Sequence, residues 1–233
     1  MNAADFQHPF NLLGRKAIFR ARSQDIVTLN IQHGLITFFN LSDPKYFMTS
    51  DKFAVGGGFV KKQLVEKQHK YPRDVFVVGN PALDTVFEHI KGKRDNSNIH
   101  EFLGLPSEEE CILFFSCLHN MARKEFRNLS ADQISDYLRA IYSSIKQSFP
   151  GKTLVIKPHP AEGPFLYFHK DVVERAGVKA VIVDDLAFRK SFVLYDLIAA
   201  ARFVVAYPST TFLESILMKK LCIMINVPDP QLF

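Results

Sequence analysis

The sequence predicts an α/β protein in which parallel sheets are covered by helices on both faces. Short apolar runs alternate along the chain with helix-length amphipathic segments, which is the pattern of βαβ units. Several of these runs are continuous in Val, Ile and Phe, as expected for strands that are buried on both faces. Hydrophobic residues make up 47% of the 233 residues, so the chain can bury a substantial core.

The individual elements follow from the same periodicity. In chain order, the predicted strands are IVTLNIQ (26–32), YFMTS (46–50), VFVVG (75–79), CILFFS (111–116), TLVIK (153–157), AVIVD (180–184), FVVAY (203–207) and LCIMIN (221–226). The predicted helices lie near residues 11–23, 57–70, 81–90, 131–149, 165–176, 192–201 and 209–219. Ser130 with Asp132 can cap the fourth helix, and Ser209 or Thr210 can cap the last one.

The polar segment at residues 90–110 divides these elements into two groups. It is dense in charge and lacks sustained apolar periodicity, so it predicts one domain at residues 1–92 and a second at 93–233. The first group has only three strands, and the second stops directly after a strand, with no closing helix. We therefore expect an incomplete N-terminal domain and a truncated C-terminal one, as in a fragment of a longer protein. The alternative is that something else covers both edges.

Charge and composition exclude few function classes. The 29 Lys and Arg residues exceed the 24 Asp and Glu residues, for a net charge of +5, but no long basic run concentrates this charge. A solvated, slightly basic surface explains the balance better than a nucleic-acid groove. The densest basic patch, at Lys61, Lys62, Lys67 and Lys70, would suit acidic lipid headgroups if these residues share a helix face.

Cysteine usage and apolar runs predict the compartment. The three cysteines lie in or beside apolar runs without CxxC spacing, which favours free thiols in a reducing compartment over a disulfide framework or a zinc site. No signal peptide is evident, and the longest apolar stretch is shorter than the ~20 residues that a membrane span needs. We expect a cytoplasmic protein, with peripheral membrane association left open.

Candidate site residues follow the predicted strands, because ligands of open parallel sheets bind outside the carboxyl ends of the strands. Polar or titratable groups occur there in QHG, GNPALD, SCLHN, KPHPAE and YPSTTFLE. From the first three motifs we take as cleft residues Gly34, Asn80, Ser116 and His119. Motifs for a dinucleotide, a P-loop, a nucleophile elbow and a metalloprotease zinc site are lacking.

The motif PSTTFLE is typical of an anion site at a helix N-terminus. Ser209, Thr210 and Thr211 would place hydroxyls beside backbone N–H groups that have no partner within the helix, at the positive end of its dipole. An ordinary N-cap is the simpler interpretation. Glu214 lies one turn further on, where it could accept a hydrogen bond from a ribose hydroxyl or remain a solvated glutamate.

The motif KPHP indicates a preorganised histidine. The two prolines restrict the backbone on both sides of His159, and Lys157 adds a cation at the end of the strand, so both side chains could meet a phosphate. The alternative is a structural turn. Glu162 follows without an assigned role and is expected at the surface. In QHG, His33 is placed to act as a general base or to be structural.

The order of the motifs IQHG, TSDKFAVGG, VVGNPALD, LVIKPHPAE and VVAYPSTTFLE resembles nucleotide-sugar enzymes of the GT-B fold, which have two Rossmann-like domains. Within that fold it is most similar to bacterial capsule and surface-polysaccharide glycosyltransferases, including sialyl-, polysialyl- and Kdo-transferases. Their HP and Ser-Ser/Thr motifs, which bind the donor nucleotide and its phosphate, match His159-Pro160 and Ser209-Thr210. Their acidic motif, which supplies the base, has no clear counterpart, so His33 is only a positional substitute.

The resemblance implies transfer of a sugar from a CMP- or UDP-linked donor to a surface polysaccharide or glycolipid acceptor. GNPALD is also similar to UDP-N-acetylglucosamine 2-epimerases, although PSTTFLE and CLHNMARKEF depart from their motifs. Glycerophosphotransferases that use CDP-glycerol share the His-Gly and Lys-x-His-Pro patterns, and a non-catalytic nucleotide-sugar-binding remnant is a further alternative. No metal cluster, cofactor or nucleic-acid partner is predicted.

Overall fold

The computed structural model describes residues 12–32, 49–92, 97–116 and 130–225. The chain forms two compact units, Met1–Asp84 and Thr85–Phe233. The domain boundary that the sequence predicts at residue 92 remains a prediction.

The first unit contains a parallel sheet with strand order β1-β2-β3. Its strands are β1 (Leu29–Ile31), β2 (Lys52–Val55) and β3 (Val75–Val77), and its helices include α1 (Leu12–Arg22) and α2 (Gly58–Lys67). Phe53 and Val75 are paired across β2 and β3, and both are buried with Val60 and Leu64 of α2. One face of this sheet is therefore covered by α2.

The second unit contains a parallel sheet of five strands with the order β6-β5-β4-β7-β8. Its strands are β4 (Cys111–Phe115), β5 (Thr153–Lys157), β6 (Ala180–Ile182), β7 (Ala201–Ala206) and β8 (Leu221–Met224). Helix α3 (Asp84–Lys91) begins at the boundary between the two units. The other α-helices of the second unit, within the described ranges, are α4 (Ser97–Phe102), α5 (Ala131–Ser148), α6 (Leu166–Ala176), α7 (Asp185–Ser191), α8 (Leu194–Ala200) and α9 (Thr210–Leu217).

The centre of this second sheet is buried on both faces. Every residue of β4 and β5 is buried, which explains why these strands read as continuous apolar runs. On one face Phe114 packs edge-on against Tyr142 of α5, and on the other Leu113 packs in a cluster with Leu197 of α8. Strand order reverses at β4, so the topological switch point lies at its carboxyl end.

Ser130 and Ser209 are confirmed as helix caps, although Ser130 is paired with Gln133 and not with Asp132. Ser130 and Gln133 form a reciprocal capping box at the start of α5, and the Ser209 hydroxyl accepts a hydrogen bond from the Phe212 N–H at the start of α9. Both caps satisfy N–H groups that have no partner within their helix.

One predicted element is wrong, and two observed helices were not predicted. The strand expected at 46–50 is replaced by β2 at Lys52–Val55: Thr49 and Ser50 lie outside any strand, and 46–48 lie outside the described residues. The Asp51 carboxylate accepts hydrogen bonds from the Thr28 N–H and hydroxyl, which fixes the turn that precedes β2. Helices α4 and α7 were not predicted, because each is too short, at six and seven residues, to show helical periodicity.

The remaining strands and helices match their predictions, with ends that differ by a few residues. Within the part of the chain that the structure describes, no helix is both long enough and apolar enough to cross a bilayer.

Candidate functional site

A cleft of about 630 Å³ opens at the carboxyl ends of β4, β5 and β7 in the second unit. This is the switch point of the sheet, where open parallel sheets bind their ligands. The cleft is lined by Phe115, Ser116, Lys157, Pro158, His159, Pro160, Asp185, Phe188, Arg189, Phe192, Val193, Leu194, Tyr207, Ser209, Thr210 and Thr211.

The KPHP turn forms one wall of the cleft. Strand β5 ends at Lys157, Pro158 is buried, and His159 is exposed at the lining. A 3-10 helix begins at Pro160, and the Glu162 N–H donates to the His159 carbonyl at 2.8 Å. The histidine is therefore held between a buried strand end and a hydrogen-bonded turn.

Lys157 belongs to an ion network within the cleft. Its ammonium, with a side chain only 7% exposed, donates to Asp185 Oδ1 at 2.6 Å and to the Pro158 carbonyl at 3.0 Å. Arg189 Nε lies 2.9 Å from the other carboxylate oxygen, Asp185 Oδ2. Burial disfavours the charged Asp185 carboxylate, but the hydrogen bond and charge of Lys157, with the charge of Arg189, outweigh it and lower the pKa of Asp185.

The N-terminus of α9 forms the opposite part of the lining. Ser209, Thr210 and Thr211 all line the cleft, and each is half-buried. The Ser209 hydroxyl already caps the helix through the Phe212 N–H, so the N-cap interpretation holds together with the cleft position. Backbone N–H groups of this first turn lie at the positive end of the helix dipole.

Glu214 is not among the lining residues. Its side chain is buried, at 7% exposed, and accepts a hydrogen bond from the Tyr195 hydroxyl at 3.3 Å. Tyr195 in turn lies 2.9 Å from the Thr85 hydroxyl of α3. Burial raises the pKa of the Glu214 carboxyl, although the hydrogen bond from Tyr195 opposes this shift. In this structure Glu214 ties α9 to α8 and α3.

Glu162 is fully buried, so the expectation that it lies at the surface is wrong. The Ser116 hydroxyl donates to Glu162 Oε2 at 2.6 Å, and His169 Nε2 lies 3.1 Å from the same oxygen. His169 Nδ1 lies 2.6 Å from the Tyr142 hydroxyl. Burial, together with the negative charge of Glu162, holds the pKa of Tyr142 well above its usual value. We call these four residues the buried chain.

Of the four remaining predicted site residues, three lie outside the described residues and one lies in the first unit. His33, Gly34 and His119 lie outside the described residues. Asn80 belongs to the first unit, where it follows β3 and its carbonyl accepts a hydrogen bond from the Leu83 N–H.

Asp185, Arg189 and the aromatic residues of the lining were not predicted from the sequence. The segment DLAFRK follows the sixth predicted strand, and inspection of the residues after that strand end would have found Asp185. Phe188 and Phe192 carried no such signal, because apolar residues after a strand are equally typical of a packed helix. Among the described residues, no group of three His, Cys, Asp or Glu side chains could hold a metal ion.

Solved structures with a similar fold include a glycosyltransferase and UDP-N-acetylglucosamine 2-epimerases. UDP-N-acetylglucosamine 2-epimerase from Rickettsia bellii matches with a TM-score of 0.58 and 14% identity, over 88% of this chain and 51% of that one. The UDP-GlcNAc 2-epimerase from Methanocaldococcus jannaschii, in complex with UDP-GlcNAc and UDP, matches with a TM-score of 0.57 and 16% identity, over 89% and 55%. A glycosyltransferase from Rickettsia africae matches with a TM-score of 0.50 and 15% identity, over 98% and 65%.

The predicted GT-B-type α/β fold is confirmed. At 14 to 16% identity these likenesses concern the fold alone. The chain spans 51 to 65% of the lengths of these three solved chains. No family model matches the sequence, and no curated protein matches it closely enough to count as a relative.

Proposed function

We propose that the cleft binds the nucleotide part of an activated sugar and that the chain acts in a GT-B-type glycosyltransferase. The sugar would pass from a CMP- or UDP-linked donor to a surface polysaccharide or glycolipid. The observation that carries this proposal is the meeting of the KPHP turn with the first turn of α9 in one cleft, at the switch point of the sheet.

The chemistry of the lining suits a phosphorylated ligand. Lys157 and Arg189 are cations, Asp185 holds them in place, and His159 is exposed to the cleft. Lys157 and Arg189 would neutralise the charge that develops on the leaving nucleotide, and the hydroxyls of Thr210 and Thr211 would donate hydrogen bonds to it. Phe188 and Phe192 add apolar walls against which a nucleoside could pack.

Calorimetric titration of the 233-residue chain with CMP, CDP and UDP tests the proposal. We expect binding of at least one nucleotide, and a loss of about tenfold or more in His159→Ala, as for a hydrogen bond to a charged group. His69→Ala, which changes an exposed histidine of the first unit, is the matched control and should bind as the wild type does. Absence of binding for all three nucleotides would contradict the proposal.

A UDP-N-acetylglucosamine 2-epimerase is the second candidate, favoured by TM-scores of 0.57 and 0.58 against such enzymes. It would use the same phosphate site but release a free sugar without an acceptor. Incubation with UDP-N-acetylglucosamine and chromatographic detection of the 2-epimer separates the two activities. A remnant without activity would bind nucleotide and show neither epimer nor transfer.

Three further parts of the proposal rest on the sequence. We keep His33 as the proposed base, Glu214 as a proposed donor-site residue and the inner face of the plasma membrane as the proposed location. Transfer from radiolabelled CMP- and UDP-sugars to membrane fractions, with and without His33→Ala, tests all but the role of Glu214.

A further inference from the structure

The buried chain ends at the floor of the cleft. Ser116 lines the cleft and is itself 6% exposed, whereas Glu162 and His169 are 0% exposed. The backbone of Ser116 is fixed as well, because its N–H donates to the Lys157 carbonyl at 3.1 Å and continues the ladder between β4 and β5. The Ser116 side chain is therefore held at a set position in the floor.

The positions of the protons in the buried chain follow from the carboxylate of Glu162. A carboxylate oxygen only accepts hydrogen bonds, so His169 Nε2 carries a proton and donates to Glu162 Oε2. In a neutral imidazole Nδ1 is then the acceptor, and the Tyr142 hydroxyl donates to it. Ser116 donates to the same oxygen over the short distance of 2.6 Å that is typical of a hydroxyl bound to a carboxylate.

We propose that Ser116 presents only lone pairs to the cleft and so recognises a hydroxyl or amino hydrogen of the nucleoside or sugar, rather than a phosphate oxygen. A serine hydroxyl has one proton, and in Ser116 that proton is directed at Glu162. A phosphate oxygen would meet a lone pair at this point and would be repelled. Glu162, His169 and Tyr142 act as positioning residues, because they fix the orientation of the Ser116 hydroxyl from behind.

This inference rests on the proposed nucleotide function, and it divides the cleft into two parts. Phosphates would be held by Lys157, Arg189 and the first turn of α9, and the floor at Ser116 would read a donor group of the ligand. Inorganic pyrophosphate can occupy only the first part, whereas a nucleotide occupies both. Comparison of these two probes therefore isolates the floor.

The test measures the affinities of CMP, CDP, UDP and inorganic pyrophosphate for the wild type and for Ser116→Ala by calorimetry. We expect Ser116→Ala to weaken the best-bound nucleotide about three- to tenfold, as for one neutral hydrogen bond, and to leave pyrophosphate binding unchanged. Equal weakening of both probes, or no change in either, would overturn the acceptor role.

Two variants at Glu162 test whether the buried chain positions the Ser116 hydroxyl. The readout is the preference for nucleotide over pyrophosphate, which a merely structural role of Glu162 would not change. Glu162→Gln can keep an oxygen at the Oε2 position, so both hydrogen bonds and the wild-type preference should persist. Glu162→Met has a similar length but no acceptor, so the Ser116 proton can turn to the cleft. We expect it to bind nucleotide more weakly and pyrophosphate as the wild type does, because only the nucleotide reaches the floor, and a parallel change in both affinities would contradict the proposal.

A nitrogen-15 NMR measurement of the His169 ring adds a test that needs no ligand and remains open if Glu162→Met does not fold. We expect the tautomer with the proton on Nε2, and a proton on Nδ1 alone would overturn the deduced direction. If the wild type binds none of the three nucleotides, both the proposed function and the role of Ser116 fail. If it binds and Ser116→Ala binds equally well, only the inference fails.

Discussion

Two polar networks meet the neighbouring ends of β4 and β5, and they differ in exposure and charge. The first joins Lys157, Asp185 and Arg189 at the cleft, and its outer member, Arg189, has a side chain that is 58% exposed. The second is the buried chain, in which the Glu162 and His169 side chains are 0% exposed. The backbone bond from Ser116 to Lys157 brings the two networks side by side.

We assign the two networks different roles because of this difference in exposure. The first would supply positive charge to a ligand, and the second would orient the Ser116 hydroxyl. The first, more exposed network is open to an anionic ligand at Arg189, and solvent and salt screen the pair of Arg189 with Asp185, so that pair contributes little to stability. The buried chain cannot be screened, and each unpaired member would carry the full cost of its desolvation. We expect changes in the buried chain to reduce stability and changes in the exposed network to alter mainly ligand binding.

The largest expected effect belongs to Glu162→Ala. This change removes the common acceptor of Ser116 and His169 and leaves both donors buried without it, so the free energy of unfolding should fall by about 3 to 5 kcal/mol. Urea unfolding followed by circular dichroism measures it.

Glu174→Ala is the matched control for this prediction. Glu174 lies on α6, as His169 does, but it is exposed, and its replacement should leave the urea midpoint unchanged. A loss at Glu162 no larger than the loss at Glu174 would show that the buried chain does not support the fold.

The next effect is that of Tyr142→Phe, at the far end of the same chain. It removes only the hydroxyl that satisfies His169 Nδ1, while the ring keeps its edge-on contact with Phe114. The free energy of unfolding should fall by about 1 to 3 kcal/mol, the cost of one buried unsatisfied group. Tyr167→Phe changes an exposed tyrosine on α6 and should have no effect on the same unfolding curve. Equal losses in the two variants would contradict the hydrogen-bonded role of Tyr142.

The two networks also differ in how far the sequence predicted them. Strand β5 was predicted with its observed limits, and the strand-end rule pointed to Lys157, His159 and Ser116, all of which line the cleft. Such predictions succeed because a parallel sheet fixes where its strands end relative to one another.

The buried chain was missed because its members are distant in sequence and have no shared pattern. Ser116 and Glu162 are 46 residues apart, and Tyr142 and His169 are 27 apart. A glutamate after a proline turn is far more often exposed than buried, so composition favoured the surface. Only the packing of α5 and α6 against the sheet brings these groups together.

The effect of pH on stability tests the exposed network at Asp185. Because its folded pKa is lowered, Asp185 contributes stability that is fully present above its unfolded pKa of about 3.9 and is lost as pH falls through the lower folded value. Asp185→Asn should therefore be less stable than the wild type by about 1 kcal/mol near neutral pH, and the difference should shrink at acidic pH.

Asp171→Asn is a matched control for this pH dependence, since Asp171 pairs with Arg175 at the same i,i+4 spacing but on the exposed face of α6. Urea midpoints are measured between about pH 2.5 and 7 for the wild type and for both variants. The difference in midpoint between wild type and variant should change less with pH for Asp171→Asn than for Asp185→Asn. Identical profiles for the two variants would indicate that Lys157 adds nothing to the Asp185 interaction.

The smallest effect on stability is expected for Arg189→Ala. Arg189 and Arg175 each pair with an aspartate one turn earlier on a helix, and their side chains are 58% and 62% exposed, so either loss should change the free energy of unfolding by at most about 0.5 kcal/mol. The two variants should nevertheless differ in ligand binding, because only Arg189 lines the cleft. Pyrophosphate affinity, measured by calorimetry at low and high salt, should fall and lose part of its salt dependence in Arg189→Ala alone. If Arg175→Ala has the same effect, the positive charge of Arg189 acts only through the overall electrostatic field of the second unit. The network of Lys157, Asp185 and Arg189 would then have no special role in anion binding.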